Sequence, residues 1–247
     1  MVTFKGRFFG WKKEAPDFRD KVYKAIPCRL PASVDLTDKC SPVKDQGTLG
    51  SCTANSLAGI LEFNEPKNTA LIELSRLFIY YNERAYEGTV NEDAGAAIRD
   101  GIKMLAKYGV CAESIWPYLI ARFKTKPDAK AYNDAKSRII KTYQTMDTLF
   151  QMKSCLADGH PFSFGFTVYE SFMSAAVAKT GIAPMPEPGE SPVGGHAVYA
   201  IGYDDAKQFV KVRNSWGASW GDKGNFYLPY AYIGNKNLAD DMWQVTK

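Results

Sequence analysis

Cys52 stands at the start of a predicted helix, where a thiol can become a nucleophile. Gly47 and Gly50 make a turn before it, Ser51 can cap the helix, and the TANSLAGILEF that follows carries apolar residues at helical spacing. The N-terminus of a helix offers unpaired N–H groups and about half a positive charge, so it favours a thiolate and lowers the pKa of the thiol. Taken alone, however, a cysteine in such a position is more often a buried structural residue.

Gln46 adds a hydrogen-bond donor to this segment. It precedes Cys52 by six residues, and a tight turn would place its side-chain amide beside the helix start. Together with the backbone N–H of Cys52, it would then give two donors to the oxyanion that forms when a thiolate attacks a carbonyl.

The sequence offers two histidines as a base for this thiol. His196 lies in GGHAVYAIGYDD, at the predicted entrance of a strand, and Gly194 and Gly195 leave backbone room for a substrate there. An imidazole beside a thiolate forms an ion pair that activates the cysteine without alkaline pH. His160 precedes a proline at a helix-to-strand turn, and we interpret it as structural or solvent-exposed.

Asn214 lies 18 residues after His196, at the end of the next predicted strand. Adjacent antiparallel strands can bring the two side chains together, and an amide oxygen that accepts from one ring N–H would fix the histidine tautomer. Trp216 would then cover that hydrogen bond. The alternative is a plain turn, since Asn, Ser and Gly are all turn residues.

The elements that must position these residues change character along the chain. Helices are predicted at TANSLAGILEF, at LSRLFIYYNERAYE, at AAIRDGIKMLAKYG, within residues 124–136 and at MDTLFQMKSCLADG. Strands are predicted at PFSFGFTVY, HAVYAIGYDD, QFVKVRNSW and GNFYLPY, and GIAPMPEPGESPVGG before the second of them is predicted to be a long surface loop. Helices first and strands later indicate an α+β fold.

Composition excludes several classes of protein. The 247 residues are 45% hydrophobic and 13% aromatic, which is enough for a full core and too rich for disorder. The net charge of +4 comes from scattered basic residues, so nucleic acid is not an expected partner. No apolar run approaches about 18 residues, so no membrane span is expected. The two distant histidines and the absence of C-x-x-C predict no metal or cofactor.

The five cysteines leave the redox state open. If Cys52 is free, then Cys28, Cys40, Cys111 and Cys155 could form two disulfides with three connectivities, or all could stay reduced. The N-terminus lacks the apolar region of a signal peptide. The compartment therefore stays undetermined, with secretion or a periplasmic location still open.

Residues 1–30 form an extended, weakly patterned arm. The aromatic residues Phe8, Phe9, Trp11 and Phe18 stand among charges and prolines, and aromatic residues in such an arm usually dock on a surface. Two interpretations follow: a packing strap, or a segment that covers a site until it is removed.

Three sequence blocks carry a family resemblance. DQGTLGSCTANS, GGHAVYAIGYDD and VRNSWGASWGDKGNFYL resemble, in order, the active-site blocks of papain-like (C1-type) cysteine peptidases, bacterial-type members in particular. His196 follows Cys52 by 144 residues and Asn214 by 162, against about 130–150 in that family. The resemblance runs from about Leu30 to Lys247, and LPASVDL is similar to the mature start of the family.

The resemblance implies a papain-like two-domain fold with a cleft between a helical half, roughly 40–125, and a strand-rich half, roughly 126–247. Together they would form a catalytic domain, 31–247, after the extension 1–30. It implies Cys52 as nucleophile, His196 as base, Asn214 as the residue that orients the histidine, and Gln46 as oxyanion donor. The expected reaction is peptide hydrolysis through a thioester, as an endopeptidase, because no inserted loop carries histidines.

Substrate contacts also follow from the resemblance. Asp93 and Gly95 would lie on the cleft edge, and Gly194 and Gly195 would line a roomy pocket. The remaining expected contacts are Gly50, Ser51 and Trp216.

Two departures from the family stand out. Leu49 replaces a cysteine that many members use in a disulfide, and Thr53 replaces a common aromatic residue, although bacterial-type members often share both changes. The arm is too short for a long helical propeptide, so it is the candidate for any latency. A fold without turnover, or a thiol acyltransferase or amidase, stays open, and product analysis with and without amine acceptors would separate hydrolysis from acyl transfer.

Overall fold

The computed structural model describes residues 2–65 and 72–246. Its helices are α1 (Cys52–Phe63), α2 (Arg76–Glu87), α3 (Ile98–Tyr108), α4 (Ala129–Ala135), α5 (Leu149–Ala157), α6 (Ala175–Thr180) and α7 (Tyr230–Ile233). Its strands are β1 (Val2–Phe4), β2 (Arg7–Phe9), β3 (Ser33–Asp35), β4 (Thr142–Thr145), β5 (Phe162–Tyr169), β6 (Pro192–Asp204), β7 (Phe209–Arg213), β8 (Asn225–Pro229) and β9 (Ala239–Thr246).

The five predicted helices all form, and local capping explains several of their ends. Ser75 begins α2 by accepting a hydrogen bond from the Phe78 N–H at 3.1 Å. Thr148 and Gln151 form a reciprocal capping box at the start of α5. Gly109 ends α3 with a positive φ of 74°, a conformation that glycine adopts without a steric penalty.

Helix α1 lies between the two halves of the molecule and packs against both the other helices and the sheet. Ser56 donates a hydrogen bond to the Val198 carbonyl of β6 at 2.8 Å. A Cβ atom at Gly59 would lie 2.5 Å from the Tyr199 ring, so only glycine lets the helix come this close to the strand. The helix that begins at Cys52 is therefore held rigidly by its surroundings.

The described strands of the second half form an antiparallel sheet in the order β4-β9-β5-β6-β7-β8, with β3 paired to the far end of β6. The predicted α+β layout is thus confirmed. Strands β5 to β8 match the four predictions, but β6 begins at Pro192. The last four residues of the predicted loop are therefore strand, and His196 lies inside β6 rather than at its entrance.

Helix α4 packs against the other helices, although its residues were expected to belong to the strand-rich half. The ring centroid of Tyr132 on this helix lies 5.0 Å from that of Phe78 on α2 and 5.5 Å from that of Tyr108 on α3. The boundaries of the two halves and of the arm stay predictions.

All five cysteines are described, and each is a free thiol in this structure. Cys111 and Cys155 are buried, whereas Cys28 is exposed on the arm. The two disulfides considered from the sequence are therefore not formed here. No helix within residues 2–65 and 72–246 is long and apolar enough to span a membrane.

A buried carboxyl group lies directly behind the nucleophile helix. Glu83 of α2 has no exposed surface, and its Oε2 accepts a hydrogen bond from the Thr53 hydroxyl at 2.9 Å. A Cβ atom at Gly101 of α3 would lie 2.4 Å from Glu83 Oε1, so three helices converge on this group. Burial raises the pKa of Glu83 from 4.5 to about 8.

This raised pKa predicts a pH-dependent effect of Glu83→Gln on stability. Between pH 4.5 and 8 the unfolded chain loses the Glu83 proton while the folded chain keeps it, so wild-type stability falls as pH rises. Glutamine does not titrate, so the free energy of unfolding of the variant should not change with pH through this position. Relative to wild type, it should therefore rise by on the order of 3 kcal/mol from pH 4.5 to 8.5. Urea unfolding of both proteins at several pH values measures this, and a difference that is independent of pH would contradict it.

Candidate active site

Cys52 is the first residue of α1 and is completely buried. The backbone N–H groups of Ala197, Gly10 and Thr53 lie near the thiol and act to lower its pKa. Ser51 is the N-cap residue, but its side chain does not cap the helix, contrary to the sequence prediction. Its hydroxyl instead makes a 2.5 Å hydrogen bond with the Tyr118 hydroxyl.

Gln46 lies across the turn from Cys52, and its amide is fixed at both ends. Its Oε1 accepts from the Ser215 hydroxyl at 2.7 Å, while its Nε2 donates to the carbonyls of Leu49 at 2.9 Å and Phe8 at 3.1 Å. The amide N–H2 thus points into the cleft and already donates to a carbonyl oxygen there.

His196 and Asn214 come together across the paired strands β6 and β7. His196 Nε2 lies 2.8 Å from Asn214 Oδ1. The same oxygen accepts from the Ser215 backbone N–H at 2.8 Å, so the oxygen is the acceptor and the ring Nε2 carries the proton. His196 Nδ1 is buried and has no hydrogen-bond partner among the described residues. It is the nitrogen left to accept a proton.

Trp216 covers this pair. Its ring stacks on the His196 ring with centroids 4.7 Å apart and an interplanar angle of 23°. Since Trp216 is itself buried, water is kept from that face of the imidazole.

The N-terminal arm fills the space above these residues. The Phe9 ring packs edge-on against His196 and Trp216, with centroids 6.3 and 6.2 Å apart. The backbone N–H of Trp11 donates to the Gly195 carbonyl at 3.0 Å, and the Gly10 carbonyl accepts from the Ala96 N–H at 2.8 Å. Because of this cover, Cys52 and His196 are both 0% exposed. Phe18, by contrast, does not dock and is 98% exposed.

The pKa shift of Cys52 is opposite to the one expected from the helix N-terminus. Burial raises the pKa of the Cys52 thiol to about 11 and lowers the pKa of His196 to about 4. The N–H groups of Ala197 and Gly10 lower the pKa of the thiol, but they do not offset the exclusion of water. With the arm in place, both groups are neutral at pH 7.

Four glycines expected to contact substrate, Gly50, Gly95, Gly194 and Gly195, lie close to the arm in this structure. A Cβ atom at Gly95 would meet Gly10, and Cβ atoms at Gly194 and Gly195 would meet Phe9 and Trp11, all within 2.9 Å. The same clash in reverse occurs at Gly10, whose Cβ would lie 1.8 Å from the carbonyl oxygen of Gly50. The cleft is therefore shaped for a close-lying extended backbone.

Among the described residues, the hydrogen-bond partners of Asp93 and Ser51 lie outside the arm. Asp93 accepts hydrogen bonds from the Gly50 N–H at 3.1 Å and from the Tyr80 hydroxyl, so it supports the turn before Cys52. Their assignment as substrate contacts stays a prediction.

Three residues at the site escaped the sequence analysis. Ala96, rather than Gly95, makes the backbone hydrogen bonds with the arm, one position past the expected pair. The Ser215 hydroxyl donates to Gln46, whereas the sequence pattern indicated only a turn residue at this position. Asp241 contacts the arm from β9, a strand that the sequence did not predict.

The chain is similar to known proteins over most of its length. The family model described as papain family cysteine protease matches residues 30–244. A peptidase C1-like protein of Acanthamoeba polyphaga mimivirus is 43% identical over 96% of this chain and 86% of its own length. The thiol protease aleurain of Arabidopsis thaliana is 27% identical over 83% of this chain, but only 58% of its own length is matched.

Solved structures give the same result. The crystal structure of xylellain, a cysteine protease from Xylella fastidiosa, superposes with a TM-score of 0.93 at 40% identity, covering 100% of this chain and 98% of that one. The digestive procathepsin L 3 of Tenebrio molitor shares the fold, with a TM-score of 0.75 at 19% identity over 98% of this chain and 76% of that one. The chain belongs to the papain family of cysteine proteases.

Proposed function

We propose that this cysteine peptidase works through Cys52, His196 and Asn214, with Gln46 as oxyanion donor. The observation that carries the proposal is the 2.8 Å hydrogen bond between His196 Nε2 and Asn214 Oδ1, in a cleft where the helix N-terminus presents Cys52. This bond leaves Nδ1 as the free base. The remaining donor is Gln46 Nε2, which lies 3.1 Å from a peptide carbonyl of the arm.

Each group has a defined part in the reaction. His196 Nδ1 takes the thiol proton, and the Cys52 thiolate attacks the peptide carbonyl carbon. Gln46 Nε2 and the Cys52 backbone N–H donate to the oxyanion, a contribution of about 3 kcal/mol per donor. His196 then protonates the leaving amine, and water attacks the thioester to release the acid and restore the thiol.

The course of the arm supports an endopeptidase. An uninterrupted chain passes Cys52, with the β1–β2 hairpin on one side and residues 12–30 on the other. A cleft that holds a continuous chain is open at both ends, so it can accept an internal peptide bond of a protein or peptide substrate.

We further propose that the arm holds the peptidase latent. It covers the thiol and the imidazole completely, and the shared-fold comparison includes a protease in its pro form. Because the Phe8 carbonyl already accepts from Gln46 Nε2 and the Phe9 ring packs against His196, we expect substrate to bind only after residues 7–12 have left.

The order of effects of two substitutions tests the histidine pair. Removing the base with His196→Ala should lower kcat by about 10³-fold or more. Asn214→Ala should lower kcat by about 10- to 100-fold, since the imidazole remains but loses its orienting partner. His160→Ala, outside the cleft, is the matched control and should leave kcat unchanged. A larger loss for Asn214→Ala than for His196→Ala would contradict the assigned roles.

A further inference from the structure

The residue directly after the nucleophile is tied to a buried carboxyl group that the proposed mechanism does not use. The Thr53 hydroxyl donates a hydrogen bond to Glu83 Oε2 at 2.9 Å, and neither residue has exposed surface. Thr53 stands where many members of the papain family carry an aromatic residue, so this contact belongs to a departure of the chain from the family. It connects α2 to the first turn of α1, the turn that presents Cys52.

The carboxyl group of Glu83 has no cation to balance a negative charge. None of the ion pairs among residues 2–65 and 72–246 includes Glu83. Its Oε1 is buried and has no hydrogen-bond partner among the described residues. A carboxylate in such surroundings is costly, so the neutral acid is the favoured form.

The charged groups that face Glu83 add to the cost of ionising it. Glu87 of α2 and Asp100 of α3 raise its pKa, whereas Arg84 of α2 lowers it. From α1, the titratable group that interacts with Glu83 is the Cys52 thiol. The Arg84 guanidinium is held by other acceptors, the backbone carbonyls of Val90, Glu92 and Phe123. Burial has the largest effect, and the pKa of Glu83 rises to about 8.

The enclosure of Glu83 is formed by three helices. A Cβ atom at Gly101 of α3 would lie 2.4 Å from Glu83 Oε1 and 2.7 Å from Leu57 Cδ1 of α1, so α1 and α3 close around this side chain of α2. The arm adds Lys12, which pairs with Glu87 at 2.6 Å. Departure of the arm would leave the three helices in place and remove a cation, which disfavours the Glu83 carboxylate further.

A negative charge on Glu83 and a negative charge on Cys52 oppose each other. The Glu83 carboxylate raises the pKa of the Cys52 thiol. Reciprocally, a thiolate at Cys52 makes Glu83 harder to ionise. The positive end of α1 favours a thiolate, and a carboxylate behind the same first turn competes for that positive field.

We propose that Glu83 is a positioning residue for the nucleophile: as a neutral acid it holds the first turn of α1 through Thr53, and as a carboxylate, buried without a counter-ion, it suppresses the Cys52 thiolate. The inference rests on the proposed function, because it takes that thiolate to be the attacking group. Activity should therefore have an alkaline limit that is set by a group behind the helix, outside the cleft.

The pH profile of kcat/KM tests this in the full chain with Phe9→Ala, which loosens the arm. Glu83→Gln keeps an acceptor for Thr53 and cannot ionise. The ratio of its kcat/KM to that of the parent should stay constant between pH 5.5 and 7 and rise about fivefold by pH 9, where only about a tenth of Glu83 keeps its proton. Glu92→Gln removes an exposed carboxylate and is the matched control, with a constant ratio throughout. A constant ratio for Glu83→Gln would overturn the inference, since it would leave Glu83 a role in folding alone.

Thr53→Val gives a second test that does not depend on how well Glu83→Gln folds. The hydrogen bond from Thr53 favours the carboxylate, so its loss should raise the pKa of Glu83 further. The alkaline fall of kcat/KM should then move to higher pH by about half a pH unit or more. Below pH 7, kcat/KM should drop about two- to fivefold, because the first turn of α1 loses its anchor. An alkaline fall at an unchanged pH would contradict the proposed role of Glu83.

Alkylation of Cys52 by iodoacetamide reports on the thiolate without peptide turnover. The exposed Cys28 is a reference thiol in the same chain, and peptide mapping gives both rates. The Cys52 rate of Glu83→Gln relative to the parent, each divided by its Cys28 rate, should grow about fivefold from pH 6.5 to 9. Unfolding of the parent at alkaline pH would expose Cys52 and speed its alkylation, which is the opposite change. No such growth would overturn the inference alone, whereas no alkylation of Cys52 and no turnover in any protein, the parent included, would overturn the proposed function.

Discussion

Replacing Phe9 with alanine is expected to raise peptide hydrolysis by the full chain by about 10- to 100-fold. The Phe9 side chain is buried against His196, Trp216 and Gly194, so it is an apolar contact between the arm and the proposed catalytic histidine. Truncation of a buried phenylalanine typically costs about 3–5 kcal/mol. Here much of that cost falls on arm docking, so the open population rises while the body of the enzyme keeps its fold.

Phe18→Ala is the matched control for this experiment. Phe18 belongs to the same arm but is 98% exposed, so its removal should leave the rate unchanged. Initial rates with a fluorogenic peptide, measured alongside thermal unfolding, separate arm release from general destabilisation. Equal rates for Phe9→Ala and wild type would mean that the arm is a structural strap.

The second large effect is the loss of turnover in Cys52→Ala. Without the thiol no thioester can form, and kcat should fall by at least about 10⁴-fold, as it does when the nucleophile of a catalytic triad is removed. The fold should survive, because the change removes one buried sulfur atom from a helix that Ser56 and Gly59 already hold against the sheet. The loss of turnover is best measured in the Phe9→Ala background, where the rate of the parent with Cys52 intact is expected to be high.

Cys28→Ala serves as the control, since Cys28 is an exposed thiol on the arm and should not affect the rate. Circular dichroism and unfolding temperature report on the fold of both variants. Activity of Cys52→Ala above about 1% of the parent would contradict the assignment of the nucleophile.

Much of the site could be predicted from sequence because its residues lie in or beside elements with strong local signals, although His196 lies inside β6 and not at its predicted entrance. The glycine turn before Cys52 and the antiparallel neighbours that carry His196 and Asn214 needed only local pattern and pairing rules. Ser51 was misjudged because a capping residue type does not reveal a competing partner, here the Tyr118 hydroxyl.

The remaining features depend on tertiary contacts that sequence patterns do not reveal. Strand β9 was missed since adjacent aspartates, Asp240 and Asp241, resemble a turn, and their place in a bulge is set by pairing with β5. The pKa of Cys52 was expected to fall because the helix N-terminus is visible in the sequence. The burial that raises it depends on how distant parts of the chain pack around the thiol, which the helix pattern does not reveal.

Labelling with the epoxide E-64, followed by peptide mapping, shows whether Cys52 is a reactive thiol that the arm holds latent. The full chain is compared with Phe9→Ala and with a chain cut at a protease site placed in the exposed stretch 26–29. We expect slow or absent labelling of the intact chain and a single adduct on Cys52 once the arm is loosened or cut. No adduct on Cys52 in any of the three forms would contradict it.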